Sequence, residues 1–494
     1  NLGDTIYADV PSPAVTNDQV RTLEQFRRKH AEVLGNQRGV PSMADLRAST
    51  ALFTTIDDHE VVNDFAGGAA VSSDSRFDTT GKLINETQLY RDGLKAFSEF
   101  NPLKDVTYQT PGVARTDGKP KLYRSARYGL DASLFLLDAR SFRDAELNAP
   151  EDPNNALQVG AFLSQSMDLN PLTGQALPRR TMLGQAQLGE LKSDLLAAEK
   201  AGVTWKFIGV PEPIQNLGVL AASDRFEGYA AERSDILGFI HTNRIRNVVF
   251  ISADIHGTLI NNLTYQPGSP AAPQIPVRSW EISTGAIAYD APFGPTVLDL
   301  AAGVPSGSGT LLSQFLASLK LPNRTAFDAL LTPVQKNQAM TGLVNAQIQP
   351  LGYTPLGLED SGLEFQIETG GSVAAFTYGW TEFEIDSATR ALRVTTYGLP
   401  GYAANQMNDQ LLLAQPTVVS RFNVQAEKPA LQLRRLATGL RVVWPKSEEG
   451  YRLERTANLG ASANWTPVDS TVVGDENSAA VTDEAAAFYR LRKP

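Results

Sequence analysis

The chain has 494 residues, 42% hydrophobic and 20% charged, an ordinary globular composition with enough apolar residues for a large buried core. Its formal net charge of −10 excludes a broad nucleic-acid surface, which needs surplus Lys and Arg, but leaves room for a small basic pocket. The absence of cysteine excludes disulfides, thiolate zinc sites and cysteine nucleophiles within it.

At roughly 100–200 residues per domain, the length allows two to four domains, or one large domain with an appendage. There is no apolar run long enough for a transmembrane helix. Residues 1–7 lack the charged and apolar regions of a signal peptide, as a mature or truncated chain would.

In chain order, residues 20–34 are predicted as an amphipathic helix with Leu23, Phe26 and Val33 on one side. His30, after Arg27-Arg28-Lys29, is expected on its solvated surface. The apolar run 52–56 reads as a strand that ends in Asp57-Asp58-His59-Glu60. Residues 133–138 suit a buried strand ending in an acid. Residues 185–201 read as a helix, which runs through Gly202 into a strand at 203–210. A helix at 233–241 is expected to end on His241 as a cap. Residues 247–252 form the clearest buried strand. Helices alternating with short apolar strands argue for an α/β core.

The texture changes after residue 265. The Gly-rich segment 303–309 lacks the order of a phosphate cradle and reads as a flexible loop. A helical stretch at 311–329 is expected to break at Pro322. Residues 363–399 read as a β meander with strands at 363–368, 373–380, 381–385 and 391–399, joining a second sheet. A boundary falls near residues 425–430. From 430 to 494 the chain reads as a small all-β module, with strands at 440–444, 451–455, 468–473 and 488–491 and turns at Gly450 and Gly474-Asp475.

Two runs carry candidate chemistry. Asp57-Asp58-His59-Glu60 gathers hard oxygen donors and one imidazole, with Asn63 and Asp64 close enough to fold back on them. Oxygen donors favour Ca²⁺, Mg²⁺, Mn²⁺ or Fe³⁺, and imidazole suits transition metals. Asp254 and His256 follow the 247–252 strand, where ligands of open α/β sheets bind. A polar loop with a helix cap, or a turn Asp beside a packed His, would use the same residue types. Of the chain's 4 histidines, His59 and His256 fall in such acid-containing runs, which favours one shared site. Asp4 and Tyr7, in Gly3-Asp4-Thr5-Ile6-Tyr7, are a weak signal alone. Arg124, Arg127, Arg140 and Arg143 are the candidate anion binders. Arg140 is the best placed, a salt bridge being its plainer reading. No nucleophile elbow, phosphate-binding P-loop or His-Glu-x-x-His motif is present.

Gly3-Asp4-Thr5-Ile6-Tyr7, the run from Ile56 through Asp57-Asp58-His59-Glu60 to Phe65, and Ile251-Ser252-Ala253-Asp254-Ile255-His256-Gly257 resemble, in order, the signature runs of the PhoD-like alkaline phosphatase/phosphodiesterase family. Asp138-Ala139-Arg140-Ser141-Phe142-Arg143-Asp144 and Asp224-Arg225-Phe226-Glu227-Gly228-Tyr229 fit the same family, and the resemblance covers residues 1–400. It implies a calcineurin-like metallophosphoesterase domain over residues 1–425, an αββα sandwich of two mixed sheets. It implies a binuclear or larger centre of Fe³⁺ and Ca²⁺, with other divalent metals as alternatives. By position, Asp4 would bridge metals and Tyr7 would be a phenolate ligand to iron. Asp58 and Asn63 would serve the second metal, with either Asp57 or Asp58 facing it, and Asp254 would be a further ligand. His59 and His256 would contact phosphate or metals, and His59 would protonate the leaving alkoxide. In the family a β-sandwich domain and a first strand, often ending in a cysteine ligand to iron, precede the Gly-Asp run. The sequence given begins at Asn1 and holds neither.

The expected activity is hydrolysis of a small phosphate mono- or diester by metal-bound hydroxide, with Arg140 neutralising phosphoryl oxygens. The expected location is outside the cytoplasm of a bacterium, whether secreted, periplasmic or at the cell surface. The C-terminal module resembles, more weakly, those appended to secreted bacterial proteins, and would bind a surface or matrix component. The alternatives are a non-catalytic surface or matrix protein retaining a degenerate phosphoesterase fold, and a calcium-stabilised carbohydrate-binding protein.

Overall fold

A computed structural model describes residues 1–35, 42–288, 291–402, 406, 408–427, 431–436, 439–446, 451–460, 463–474, 476–481 and 487–492. Helix α1 (Leu23–Leu34) begins at Thr22, whose side chain accepts from the N–H of Gln25, as an N-cap does. Helices α2 (Met43–Ser49) and α3 (Gln88–Phe100) follow. Phe26 of α1 and Leu89, Leu94 and Phe97 of α3 pack with Ile6, Ile56, Val61 and Phe65. One apolar cluster therefore anchors both polar runs of the N-terminal region.

The buried face of α1 is the expected one only in part: Phe26 is buried and Leu23 packs against the same cluster, but Val33 and His30 are not where expected. Its most buried residues are Phe26, Lys29, His30 and Leu34, whereas Val33 is exposed. Lys29 is accommodated because its ammonium donates to the carbonyl of Val10, and His30 because its ring stacks on Phe100 at 5.3 Å. The run 52–56 does not form a strand. Thr55 instead donates through its N–H to the carbonyl of Asn1 and through Oγ1 to that of Leu137.

The central sheet is built from β1 (Arg124–Tyr128), β2 (Ala132–Leu136), β3 (Trp205–Gly209), β4 (Val248–Ser252), β5 (Thr258–Tyr265) and β6 (Ile275–Ser283). Helices α4 (Ala156–Ser166), α5 (Gln185–Lys200) and α6 (Ala230–Thr242) lie between these strands in sequence. Helix α6 is closed by Asn243, not by His241, which stays in its last turn. Helices α7 (Phe293–Gly303), α8 (Leu311–Ser318), α9 (Arg324–Leu330) and α10 (Pro333–Ile348) come next. Pro322 lies in the break between α8 and α9. The expected flexible loop carries a short hairpin, β7 (Pro305–Ser306) and β8 (Gly309–Thr310). After β9 (Phe365–Thr369), β10 (Val373–Ala374) adds to the central sheet, giving the seven-stranded order β1-β2-β3-β4-β6-β5-β10. Strands β2, β3, β4 and β6 run parallel, and β1, β5 and β10 are antiparallel to their neighbours.

Strand alternation sorts side chains to two faces. Ile208, Val248 and Phe250 meet Leu188, Leu191 and Leu195 of α5 and Ile236, Leu237 and Ile240 of α6. On the other face, Trp205, Phe207, Val249, Ile260, Trp280 and Ile282 meet a second sheet. That sheet comprises β9, β11 (Thr377–Ile385), β12 (Leu392–Pro400) and β13 (Thr417–Val424), in the order β11-β12-β13-β9. It is antiparallel throughout, which corrects the expectation of two mixed sheets. It is not a simple meander, because β13 inserts between β12 and β9 and β10 leaves for the central sheet. Residues expected as two strands at 373–385 are divided instead by Ala375 and Phe376. Helices α7 to α10 pack around Leu259 of β5 and Val373 of β10.

The C-terminal residues form β14 (Gln432–Leu436), β15 (Gly439–Pro445), β16 (Arg452–Thr456), β17 (Thr466–Val468), β18 (Thr471–Val473), β19 (Glu476–Val481) and β20 (Phe488–Arg492). They make two antiparallel sheets around Val442, Trp444, Leu453 and Ala479. The stretch expected as one strand at 468–473 divides between β17 and β18. Gly450 and Asp475, expected in turns, and residues 428–430 of the expected boundary lie outside the described residues. No helix among the described residues is long and apolar enough to cross a membrane.

Candidate functional site

Polar loops converge beyond the carboxyl ends of β2, β3 and β4, the edge where open α/β sheets bind ligands. The segment after β2 supplies Arg140 and Arg143, that after β3 supplies Glu212 and Asp224, and that after β4 supplies Asp254 and His256. The N-terminal turn brings Asp4, Tyr7 and Asp9, and the following loop brings Asp57, Asp58, His59 and Asp64. Gly67 and Gly68 let this last loop lie against the β2 loop. Their N–H groups donate to the carbonyls of Arg140 and Arg143 at 2.9 and 3.0 Å, and a Cβ on Gly67 would stand 2.4 Å from the Ser141 carbonyl oxygen.

The acids from these segments form overlapping groups: Asp4, Asp57 and Asp254; Asp4, Asp58 and His59; Asp58, Asp64 and Asp224; and Glu212, Asp224 and Asp254. Within each group the potential ligand atoms all lie within 4.8 Å of one another. Asp4, Asp64, Asp254 and His256 have positive φ angles of 51°, 54°, 61° and 56°. Non-glycine residues enter this region only where surrounding structure enforces it, and they collect at functional sites. Tyr7 Oη lies 3.2 Å from His256 Nε2, and its ring centroid is 4.1 Å from that of His59. His256 Nδ1 lies 3.2 Å from the carbonyl of Ala291. Asn63 stands at the edge of the site, its side-chain amide donating to Asp64 at 2.5 Å and its N–H to Asp9 Oδ2 at 2.7 Å.

Arg140 and Arg143 lie beneath this cluster, both fully buried. Arg140 Nε donates to Asp57 Oδ1 at 2.5 Å, and its terminal nitrogens take both oxygens of Asp224 at 2.7 and 2.9 Å. The same guanidinium pairs with Glu212 and comes within 3.4 Å of Asp58. Arg143 contacts Asp224 at 2.9 Å and Glu212 at 3.4 Å. Arg140 was expected to meet phosphoryl oxygens, but its nitrogens are committed to carboxylates, so it organises the acids. Arg124 and Arg127 donate to the carbonyls of Leu122 and Gly129.

Even with these guanidiniums, the acids are undercompensated. Burial, and then repulsion from Asp57 and Asp58, hold the Asp4 carboxyl well above the usual range. Burial does the same to Asp57 against the pull of Arg140, and to Glu212. Asp254 is pushed up to about 7 by burial and by Asp224. Only at Asp224 do Arg140 and Arg143 outweigh burial and hold the carboxyl below its usual range. Asp4 Oδ1, Asp57 Oδ2 and Glu212 Oε2 are buried without a hydrogen-bond partner. Buried, unpaired carboxylate oxygens are costly, and hard cations would satisfy them, so the donor set fits a metal centre.

His59 is oriented separately. Its Nδ1 lies 2.6 Å from Asp9 Oδ1, and its Nε2 is on the side of Asp58 Oδ1, 3.9 Å away. Burial draws its pKa down, but the Asp9 hydrogen bond and Asp58 raise it to about 9.

The structure thus brings together Asp4, Tyr7, Asp57, Asp58, His59, Asp254 and His256, places Asn63 at the margin and moves Arg140 underneath. The sequence alone does not single out Glu212 or Asp9, and it gives Asp224 no role. Glu212 had a usable signal, an acid between Pro211 and Pro213 just after a buried strand.

The family model for "PhoD-like phosphatase" matches residues 1–310, well over half of the chain. The chain belongs to the PhoD-like phosphatase family. All the acid groups just described fall inside the matched residues. The chain is 27% identical over 287 residues to Alkaline phosphatase D of Bacillus subtilis (strain 168), a match covering 53% of this chain and 42% of that protein. A solved structure titled "Structure of PhoD" aligns with a TM-score of 0.49 and 18% identity, covering 89% of this chain and 65% of that one. The chain therefore spans less than two thirds of the length of either PhoD relative.

Proposed function

We propose that this chain is a metal-dependent phosphoesterase that hydrolyses phosphate mono- or diesters. One observation carries the reading: carboxylates from separate loops lie close enough to share cations, beside two histidines and inside the family match. Asp4, Asp57, Asp58 and Asp254 would hold the metals, with Asp64, Glu212 and Asp224 at the far side and Asn63 at the margin. Tyr7 and the carboxylates are hard oxygen donors, which suits Fe³⁺ and Ca²⁺ over softer ions. Metal ions would supply Lewis-acid polarisation of phosphoryl oxygens and a water acidic enough to react near neutral pH.

The chain's own residues would do the rest. Asp9 holds His59 by Nδ1, which leaves Nε2 to hand a proton to the departing alkoxide. Tyr7 and the Ala291 carbonyl fix the His256 ring against the phosphate. Arg140 and Arg143 keep Asp57, Asp224 and Glu212 in register without contacting substrate. The test is Asp254→Ala, assayed with p-nitrophenyl phosphate and bis(p-nitrophenyl) phosphate alongside metal analysis. The variant should lose both hydrolysis and bound metal, and full activity in it would sink the assignment.

A further inference from the structure

Glu60 is fully buried in a neighbourhood already crowded with acids. Among the described residues it belongs to none of the groups whose oxygens lie close enough to share a cation. Its oxygens are turned to the backbone instead. Oε1 accepts from the N–H of Thr5 at 2.7 Å, and Oε2 accepts from the N–H groups of Asp4 at 3.1 Å and Asp57 at 2.8 Å. One carboxylate thus ties together two segments far apart in sequence, each carrying an acid of the Asp4, Asp57 and Asp254 group.

The packing around this contact leaves no slack. Gly3, at φ 102°, comes so close that a Cβ there would stand 2.3 Å from Asp57 N. Behind Glu60, Gly93 of α3 lets the helix press on its backbone, where a Cβ would be 2.8 Å from the Glu60 carbonyl oxygen. Asp4 and Asp57 repel each other while both are ionised, so something must hold them together before a cation arrives. An anion accepting N–H groups from both segments can do so, because the hydrogen bonds are charge-assisted and the donors are backbone groups that cannot swing away.

We propose that Glu60 is a positioning residue that preorganises Asp4 against Asp57, so that it sets cation affinity without itself binding a cation or touching substrate. This rests on the metal-centre reading above. Glutamine is the informative replacement: it has the same length, but it removes the charge that assists all three hydrogen bonds, and its amide nitrogen must face at least one N–H donor, so at least one of the three is lost.

The experiment measures Mn²⁺ affinity by isothermal titration and electron paramagnetic resonance in the full chain, in E60Q and in E60D, with circular dichroism reporting the fold. In E60Q the affinity should fall roughly 10- to 100-fold, the usual effect of losing a residue that orients metal ligands. Turnover should recover at saturating Mn²⁺, which general damage would not allow. E60D keeps the acceptor oxygens on a shorter arm and should restore part of the affinity. If E60Q does not fold, E60D carries the test, with an affinity below that of the full chain. Unchanged Mn²⁺ affinity in a folded variant overturns the inference, as does a loss of turnover that excess Mn²⁺ does not repair. A native chain that binds no Mn²⁺ overturns the metal centre itself, whereas a native chain that binds it no better than E60Q overturns only the role of Glu60.

Discussion

Asp9→Asn separates proton donation from the rest of the site. Asp9 spans two partners, His59 Nδ1 at 2.6 Å and the Asn63 N–H at 2.7 Å, and the His59 and Asp9 side chains are only 17% and 13% exposed. A hydrogen bond to a charged group in such a place is worth roughly 1.5–3 kcal/mol. At about 1.4 kcal/mol per tenfold, its loss would weaken the hold on His59 by about 10- to 150-fold. Asparagine keeps the shape and one acceptor but removes the charge, so the carboxylate groups at Asp4, Asp57 and Asp254 stay in place. The cost should therefore depend on the leaving group. Esters of aliphatic alcohols need a proton on the departing oxygen, and kcat for them should fall by roughly 10- to 100-fold. Nitrophenyl esters leave as a stable anion and should lose no more than about threefold. Steady-state kinetics on a matched alkyl and nitrophenyl pair decide the matter. An equal loss on both esters, or none on the alkyl ester, would refute the role assigned to His59.

Two further outcomes concern stability. Arg140→Ala removes the cation between Asp57, Asp224 and Glu212, leaving Asp57 without its guanidinium partner and Asp224 and Glu212 with Arg143 alone. The loss should be roughly 3–5 kcal/mol by denaturant unfolding in chelator, and added divalent cation should narrow it. A change below about 1 kcal/mol would show that the network does not hold the loops. His30→Phe should remove an acid sensitivity. Burial, and then Arg47, lower the His30 pKa from 6.5 to about 4, and neither ring nitrogen has a hydrogen-bond partner. The folded state therefore binds fewer protons than the unfolded one between those values. The stability is fully present above pH 6.5 and is lost as pH falls towards 4, by about 3 kcal/mol in all. The variant's unfolding free energy should fall less over that window, and parallel pH profiles would contradict the placement of His30.

The sequence made some layers legible because local rules decided them. The strand at 247–252 and the helix at 185–201 are set by apolar periodicity, and both appear within a residue or two of where periodicity puts them. The second sheet was harder. Strands β9, β11 and β12 lie in or next to the stretch expected as β, but β13 was not expected: it lies beyond a stretch with no strand pattern, and nothing local says that β9 pairs with it instead of with β10. On α1, His30 was misplaced for a related reason. Charge and imidazole mark Lys29 and His30 as surface residues until the partners are known: a backbone carbonyl at Val10 for one and the Phe100 ring for the other.

The site divides along the same line. Acids and histidines clustered in sequence announced themselves, while those whose meaning depends on a distant loop did not. Asp9 looks like any turn acid until His59 is beside it, and Arg140 looks like an anion receptor until its neighbours prove to be acids. Asp57 and Asp58, between which the sequence does not choose, both belong to groups whose oxygens lie within 4.8 Å of one another, in different ways. Asp57 spends one oxygen on Arg140 and leaves the other unpartnered towards Asp4 and Asp254. Asp58 accepts the N–H groups of His59 and Asp64 at 2.7 and 2.6 Å, yet still lies within sharing distance of Asp4 and His59 on one side and of Asp64 and Asp224 on the other. Adjacent residues can serve neighbouring positions in this way only if the turn that carries them is held from outside. The buried guanidinium of Arg140 below, and the Gly67 and Gly68 contacts to the β2 loop, provide that hold.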